Sequence, residues 1–148
     1  MELFSIENDH LKLVVNRAGA EMTSLIHKSS GQNVLWTGDE SYWANHAPVL
    51  FPIVGGLKEN KYLLNGNSYS LPRHGFMRCN QSVVMTNKSE HAISFQLNSS
   101  EETLKVYPYN FSFEIIYSLE GSRVIVEHIV SNKSKADMLF SLGGHPAF

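Results

Sequence analysis

The chain has a single cysteine, Cys79, in 148 residues, so no internal disulfide can form. No apolar run approaches the ~18 residues that a membrane-spanning helix requires. The opening stretch, Met1-Glu2-Leu3-Phe4-Ser5-Ile6-Glu7-Asn8-Asp9, carries acids where a secretory signal needs a basic flank and a long apolar segment. An excess of one charge is missing as well: 12 Lys and Arg stand against 14 Asp and Glu, with no basic cluster. Nothing electrostatic therefore points to a nucleic acid or an anionic membrane as partner. These absences predict a cytoplasmic location. Chemical signatures are missing too. There is no G-x-G-x-x-G, P-loop or G-x-S-x-G, which removes the common nucleotide and serine-hydrolase readings. No H-x-H, H-x-x-E-H or C-x-x-C spacing occurs, so no metal site is predicted.

Helical periodicity is also rare. Only residues 39–44, with Asp39 as a possible N-cap, and residues 99–106, where Ser99 and Glu102 have capping-box spacing, suggest a helical turn. What is abundant is alternation. Phe111, Phe113, Ile115, Tyr117 and Leu119 fall on one face of a strand, and Glu120-Gly121-Ser122 reads as a turn. Residues 123–132 return as a partner strand with apolar residues on both faces, which predicts an interior rather than an edge position. Residues 11–16, 21–27, 34–36, 61–64, 68–71, 82–86 and 91–98 repeat the rhythm. Turn signals punctuate them at Asn8-Asp9, Ser30-Gly31, Asn65-Gly66, Asn87-Lys88 and Lys133-Ser134-Lys135. The expectation is an all-β antiparallel sandwich, a single domain over residues 1–148, with 43% hydrophobic and 11% aromatic residues to fill its core.

Two segments break the alternation. Ala47-Pro48-Val49-Leu50-Phe51-Pro52-Ile53-Val54-Gly55-Gly56 is apolar yet holds two prolines and two glycines, which suits a buried or cleft-lining loop. Pro72-Arg73-His74-Gly75-Phe76-Met77-Arg78 sets a histidine, an aromatic and two arginines at a glycine bend. Of seven histidines, His10, His27, His91 and His128 read as structural or surface residues, and His46 adjoins the irregular loop. His74 and His145 each sit beside glycine in a loop near aromatics, the placement of an acid/base group. Cys79 follows Arg78, which would lower a thiol pKa and permit a nucleophile. A small buried thiol at the start of a strand is the simpler reading.

These motifs, taken in order, resemble the aldose 1-epimerase (galactose mutarotase) family, and its LacX-like branch in particular. The residues that carry the likeness are Pro48-Val49-Leu50-Phe51-Pro52 with Gly55-Gly56-Leu57-Lys58, His74-Gly75-Phe76-Met77-Arg78, Tyr107-Pro108-Tyr109-Asn110-Phe111, and Gly143-Gly144-His145-Pro146-Ala147-Phe148. Gly56 departs from the branch, which carries arginine there. The resemblance implies a galactose mutarotase-like β-supersandwich of roughly twice this length, and the abrupt apolar ending at Phe148 fits an N-terminal half. It implies that α and β anomers of an aldose are interconverted by acid/base ring opening. That reaction transfers no electrons and no group, so no cofactor is expected. By resemblance His145 is the general acid and His74 the second catalytic histidine, which bonds the sugar near its ring oxygen. Arg78 and Phe76 are substrate-binding residues, and Phe148 is another surface on which a sugar could pack. The general-base glutamate of the family has no counterpart here. Two expectations follow: weak or no activity by this chain alone, and a homo-oligomer that covers the exposed half-sandwich surface. The alternative is a non-catalytic carbohydrate-binding or interaction module.

Overall fold

The computed structural model describes residues 1–148. In chain order the strands are β1 (Leu3–Glu7), β2 (Leu11–Asn16), β3 (Glu21–His27), β4 (Gln32–Asn33), β5 (Val49–Leu50), β6 (Lys61–Leu64), β7 (Asn67–Ser70), β8 (Val84–Lys88), β9 (Ala92–Asn98), β10 (Phe111–Glu120), β11 (Arg123–Asn132) and β12 (Gly143–Gly144). One α-helix, α1 (Glu101–Val106), lies between β9 and β10. Two four-stranded antiparallel sheets, β1-β2-β3-β4 and β11-β10-β9-β8, form the two layers. Two-stranded pairs, β6-β7 and β12-β5, complete the framework. The fold is an all-β antiparallel sandwich.

Alternation decides which faces meet. On β10, the side chains of Phe111, Phe113, Ile115, Tyr117 and Leu119 are at most 5% exposed. On β2, Leu11, Leu13 and Val15 point inward in the same way. Together with Ile93, Phe95 and Leu97 of β9 they form one cluster of 19 buried residues spanning both sheets. Each large side chain removed from water contributes about 1.5–3 kcal/mol, so this shared cluster holds the layers together. A polar tie adds direction. The Tyr117 hydroxyl, wholly buried, donates to the Ala20 carbonyl at 2.6 Å across the sandwich.

Several sequence expectations shift. β11 is an edge strand, not an interior one. Its Val124, Val126 and Val130 pack on the core, while Ile129 is 43% exposed, so the apolar outer face is bare. Residues 34–36 form no strand: β4 ends at Asn33, whose side-chain Oδ1 accepts the Leu25 N–H at 2.9 Å, and only Val34 keeps a ladder-like bond, its N–H donating to the Leu25 carbonyl at 2.8 Å. Residues 39–44 make turns rather than a helix, with Asp39 Oδ1 accepting the Ser41 N–H at 2.9 Å. The cap of α1 is Ser100, paired with Thr103, in place of Ser99 and Glu102. Ser99 is engaged elsewhere, its Oγ accepting the Phe111 N–H at 3.2 Å. Asn87-Lys88 belongs to β8 through a register shift between Met85 and Asn87.

The irregular segment that begins at Pro48 organises what surrounds it. β5 within it pairs with β12, Leu50 opposite Gly143 and Val49 opposite Gly144. The Pro48 carbonyl accepts the His145 N–H at 3.1 Å, and the Pro52 carbonyl accepts the Ser141 N–H at 2.8 Å. The Phe51 carbonyl accepts two amides, from Phe76 at 3.0 Å and Met77 at 3.1 Å. Gly55 closes the series, its carbonyl accepting the His74 N–H at 2.8 Å.

Candidate active site

His74 and His145 come from loops 71 residues apart in number (145 − 74) yet line one cleft of about 270 Å³. Trp43, Pro48, Leu50, Arg73 and Arg78 supply the rest of its walls. Each histidine is fixed by the irregular segment just described, which explains why two distant loops meet.

His74 adopts φ +70° and Gly75 follows at +73°. A non-glycine residue in that region costs about 1 kcal/mol or more, and it persists here because both flanking amides are bonded. Gly75 cannot carry a side chain at all. A Cβ on it would stand 2.2 Å from the Phe51 carbonyl oxygen, so glycine is what lets the two loops touch.

The His74 ring is oriented from the backbone. Nδ1 accepts the Gly55 N–H at 3.0 Å. An amide can only donate, so the neutral ring carries its proton on Nε2. Burial lowers the His74 pKa below the usual 6.5, and the nearby Arg73, Arg78 and His145 push it the same way. His74 is thus a neutral N–H donor. Arg73 Nε lies 3.2 Å from Nε2. A second donor faces a nitrogen whose lone pair is already committed to a proton, and one neutral imidazole cannot accept from both.

His145 is exposed, and its ring packs against the Trp43 indole with centroids 5.0 Å apart at 59°. Trp43 is held in turn, since its carbonyl accepts the Trp36 Nε1–H at 2.8 Å. Behind it lies Glu21, buried, whose Oε1 accepts the N–H groups of His46 at 2.7 Å and Ala47 at 3.0 Å. A carboxylate that receives two amides anchors the loop leading to Pro48.

Of the four residues singled out from sequence, the structure brings His74, His145 and Arg78 together. Phe76 lies apart from the cleft walls. Its half-buried ring stacks with Phe111 at 6.0 Å and meets Phe51 edge-on at 6.0 Å, beneath the loop rather than in the opening. Phe148 is 83% exposed and does not line the cleft. Gly56 faces open space. Trp43 and Glu21 were not legible in advance, because neither stands in a motif and both act through tertiary contacts. No carboxylate lines the cleft. No three His, Cys, Asp or Glu side chains converge to hold a metal ion.

Cys79 differs from both sequence readings. It is exposed, at φ +61° ahead of β8, and its thiol pKa is raised rather than lowered. Partial desolvation of the sulfur leads although the residue is exposed, the Glu21 charge adds to it, and the opposing pull of Arg78 is the smaller effect. A second recess, of about 170 Å³, lies between Ile53, Tyr62, Leu71, Tyr107 and Leu139. Its phenols are committed to the backbone: the Tyr62 hydroxyl donates to the Val106 carbonyl and the Tyr107 hydroxyl to the Leu139 carbonyl, each at 2.8 Å.

The antiparallel sandwich thus presents two histidines and two guanidiniums from its loops in one polar cleft. The chain belongs to the aldose 1-epimerase family, whose description matches residues 2–148. It is similar to the plasmid-encoded protein LacX of Lactococcus lactis subsp. lactis, with 30% identity over 149 residues, 97% of this chain and 49% of that protein. A galactose mutarotase related enzyme from Lactobacillus acidophilus superposes with TM-score 0.95 at 39% identity, covering 98% of this chain and 48% of that one. A galactose mutarotase-like protein from Lactobacillus casei gives TM-score 0.94 at 34% identity, covering 98% and 49%. The chain spans about half the length of these relatives. No helix is long and apolar enough to cross a membrane.

Proposed function

We propose that residues 1–148 form one mutarotase-like domain that supplies the acid side of an aldose 1-epimerase cleft. The observation that carries this reading is the convergence of His74, Arg78 and His145 on one opening by way of a single backbone segment. Mutarotation breaks the C1–O5 bond of a pyranose. One group gives a proton to O5 while another takes the proton from the anomeric hydroxyl, leaving an open-chain aldehyde. Rotation about C1–C2 and the reverse proton movements then close the other anomer.

His145, exposed at the cleft mouth, is the proton donor to O5. His74 is poised differently. With its proton held on Nε2 by the Gly55 amide, it gives a hydrogen bond to the sugar and does not exchange a proton during the step. Arg78, exposed at the cleft, offers N–H donors to sugar hydroxyls. Phe76 works from below, as packing under Phe51 that sets the loop height. The cleft walls contain no carboxylate, so on this reading the residues that line it supply no base.

The test is NMR on the chain as it stands. Added glucose or galactose should shift the ring resonances of His74 and His145, while α/β exchange of the sugar stays at its uncatalysed rate. No shift at either histidine would overturn the aldose reading. Anomer exchange at the speed of a complete enzyme would overturn the missing base.

Cytoplasmic location and self-association belong to the same proposal. Leu63, Leu139 and Phe140 are 77%, 74% and 45% exposed, and β11 is a free edge beside Ile129. A second copy covering this surface removes both hazards. Light scattering should report a dimer or larger, and a stable monomer would refute it.

A further inference from the structure

The cleft holds more positive charge than its own residues balance. Arg73 and Arg78 both line it. The ion pairs of the chain lie elsewhere: Lys12 and Lys28 with Glu7, Arg17 with Glu2, Lys105 with Glu102, Arg123 with Glu120. Neither cleft guanidinium joins one. Arg73 also has a contact it cannot use, because its Nε faces the His74 Nε2 that already carries the proton. Its side chain is exposed and free to turn toward an acceptor.

A neutral sugar supplies hydroxyl lone pairs to such donors, but neither it nor any residue lining the cleft adds a negative charge as water is displaced. An oxyanion supplies both, and its geometry suits the planar guanidinium fork. We propose that the substrate is an aldose bearing an anionic substituent, a phosphate or a carboxylate, and that Arg73 is its anchor. This rests on the reading of the cleft as an aldose site. Arg73 leaves His74 when the anion arrives, and the freed Nε2–H then points at the sugar. Binding of the substituent and correct presentation of His74 are therefore one event. The reacting atoms are untouched by this step, since the anion forms no bond and the ring chemistry remains the proton movements described above.

The experiment is calorimetric titration of the 148-residue chain with glucose, glucose 6-phosphate, glucuronate and inorganic phosphate, at low and high salt. A hydrogen-bonded charge pair predicts that at least one anionic sugar binds roughly tenfold or more tighter than glucose. That preference should shrink with added salt. Arg73→Ala should narrow the gap, and Arg73→Lys should restore part of it, with circular dichroism confirming that each variant is folded. A preference for glucose 6-phosphate over glucuronate assigns the phosphate, and the reverse assigns the carboxylate. Equal affinity for glucose and both anionic sugars overturns the proposal and leaves the aldose site standing. Inorganic phosphate that binds as tightly as the sugar phosphate overturns it too, as a plain anion site. If no sugar binds, this inference and the aldose reading fall together.

Discussion

Replacing Gly75 by alanine tests how the two loops are joined. The new Cβ would lie 2.2 Å from the Phe51 oxygen, 2.6 Å from its carbonyl carbon and 2.7 Å from Pro52 Cδ. Those neighbours are mostly backbone and cannot rotate away. The residue also sits at φ +73°, where a side chain costs about 1–2 kcal/mol. Displacing the Phe51 carbonyl weakens the bonds it accepts from Phe76 and Met77, each worth about 0.5–1.5 kcal/mol. The sum is roughly 2–5 kcal/mol, a large part of the stability of an ordinary domain. For a chain of this size, a loss near 3 kcal/mol lowers Tm by about 10 °C. The urea midpoint should fall by about 1.5 M. Gly56→Ala is the control, because nothing stands within 4 Å of a Cβ there. It should stay within about 0.5 kcal/mol of the parent. Urea melts of both variants decide the matter. If Gly75→Ala is as stable as Gly56→Ala, close backbone approach is not what joins these loops.

Three further outcomes follow from individual titratable side chains. His128 stacks on Phe113 with centroids 6.0 Å apart, and its Nε2 is buried without a partner. Burial lowers its pKa below the usual 6.5, as burial and neighbouring charges do for His74. The unfolded chain therefore takes up protons first, so the histidine contribution to stability is level above about pH 7 and declines as pH falls through about 6.5. His128→Leu should flatten part of that decline in urea melts at about pH 5.5 and 7.5, and an unchanged slope would contradict it. Tyr117→Phe leaves the Ala20 carbonyl without its buried donor and should cost about 1–2 kcal/mol. A cost under about 0.5 kcal/mol by denaturant titration would show that the bond contributes little. Cys79, with its thiol pKa raised by partial desolvation and Glu21, should react with iodoacetamide at neutral pH more slowly in the folded chain than in the unfolded one. An equal or faster rate would contradict that environment.

Strands whose burial follows a local period were legible, and those made by distant pairing were not. β2, β3, β6 and β11 end where alternation and turn residues place their ends, and β10 runs one residue further, to Glu120, which the turn signal had claimed. β5 and β12 have two residues each and exist only because Leu50 meets Gly143 and Val49 meets Gly144. No local pattern can announce such a pair. The edge position of β11 escaped for a related reason: apolar residues on both faces describe composition, whereas an edge is defined by which neighbours are present. At α1, adjacent serines offered two caps, and the choice fell to Ser100 because Ser99 is tied to Phe111. In the cleft, ordered motifs pointed to His74, Arg78 and His145. Trp43 and Arg73 entered through geometry, one by packing on an imidazole and the other by facing a nitrogen that cannot accept from it.

The carbonyls of Pro48, Phe51, Pro52 and Gly55 hold amides from residues on both sides of the cleft. The separation of the two imidazoles is consequently a property of one short stretch, not a compromise between two independent loops. Local opening of that stretch would release His74 and His145 at once. In hydrogen exchange, the amides of His74, Phe76, Met77, Ser141 and His145 should share one opening free energy, as a single cooperative unit. Thermal motion in the outer strands would then leave the distance across the cleft unchanged, and the cleft would fail as a whole or not at all.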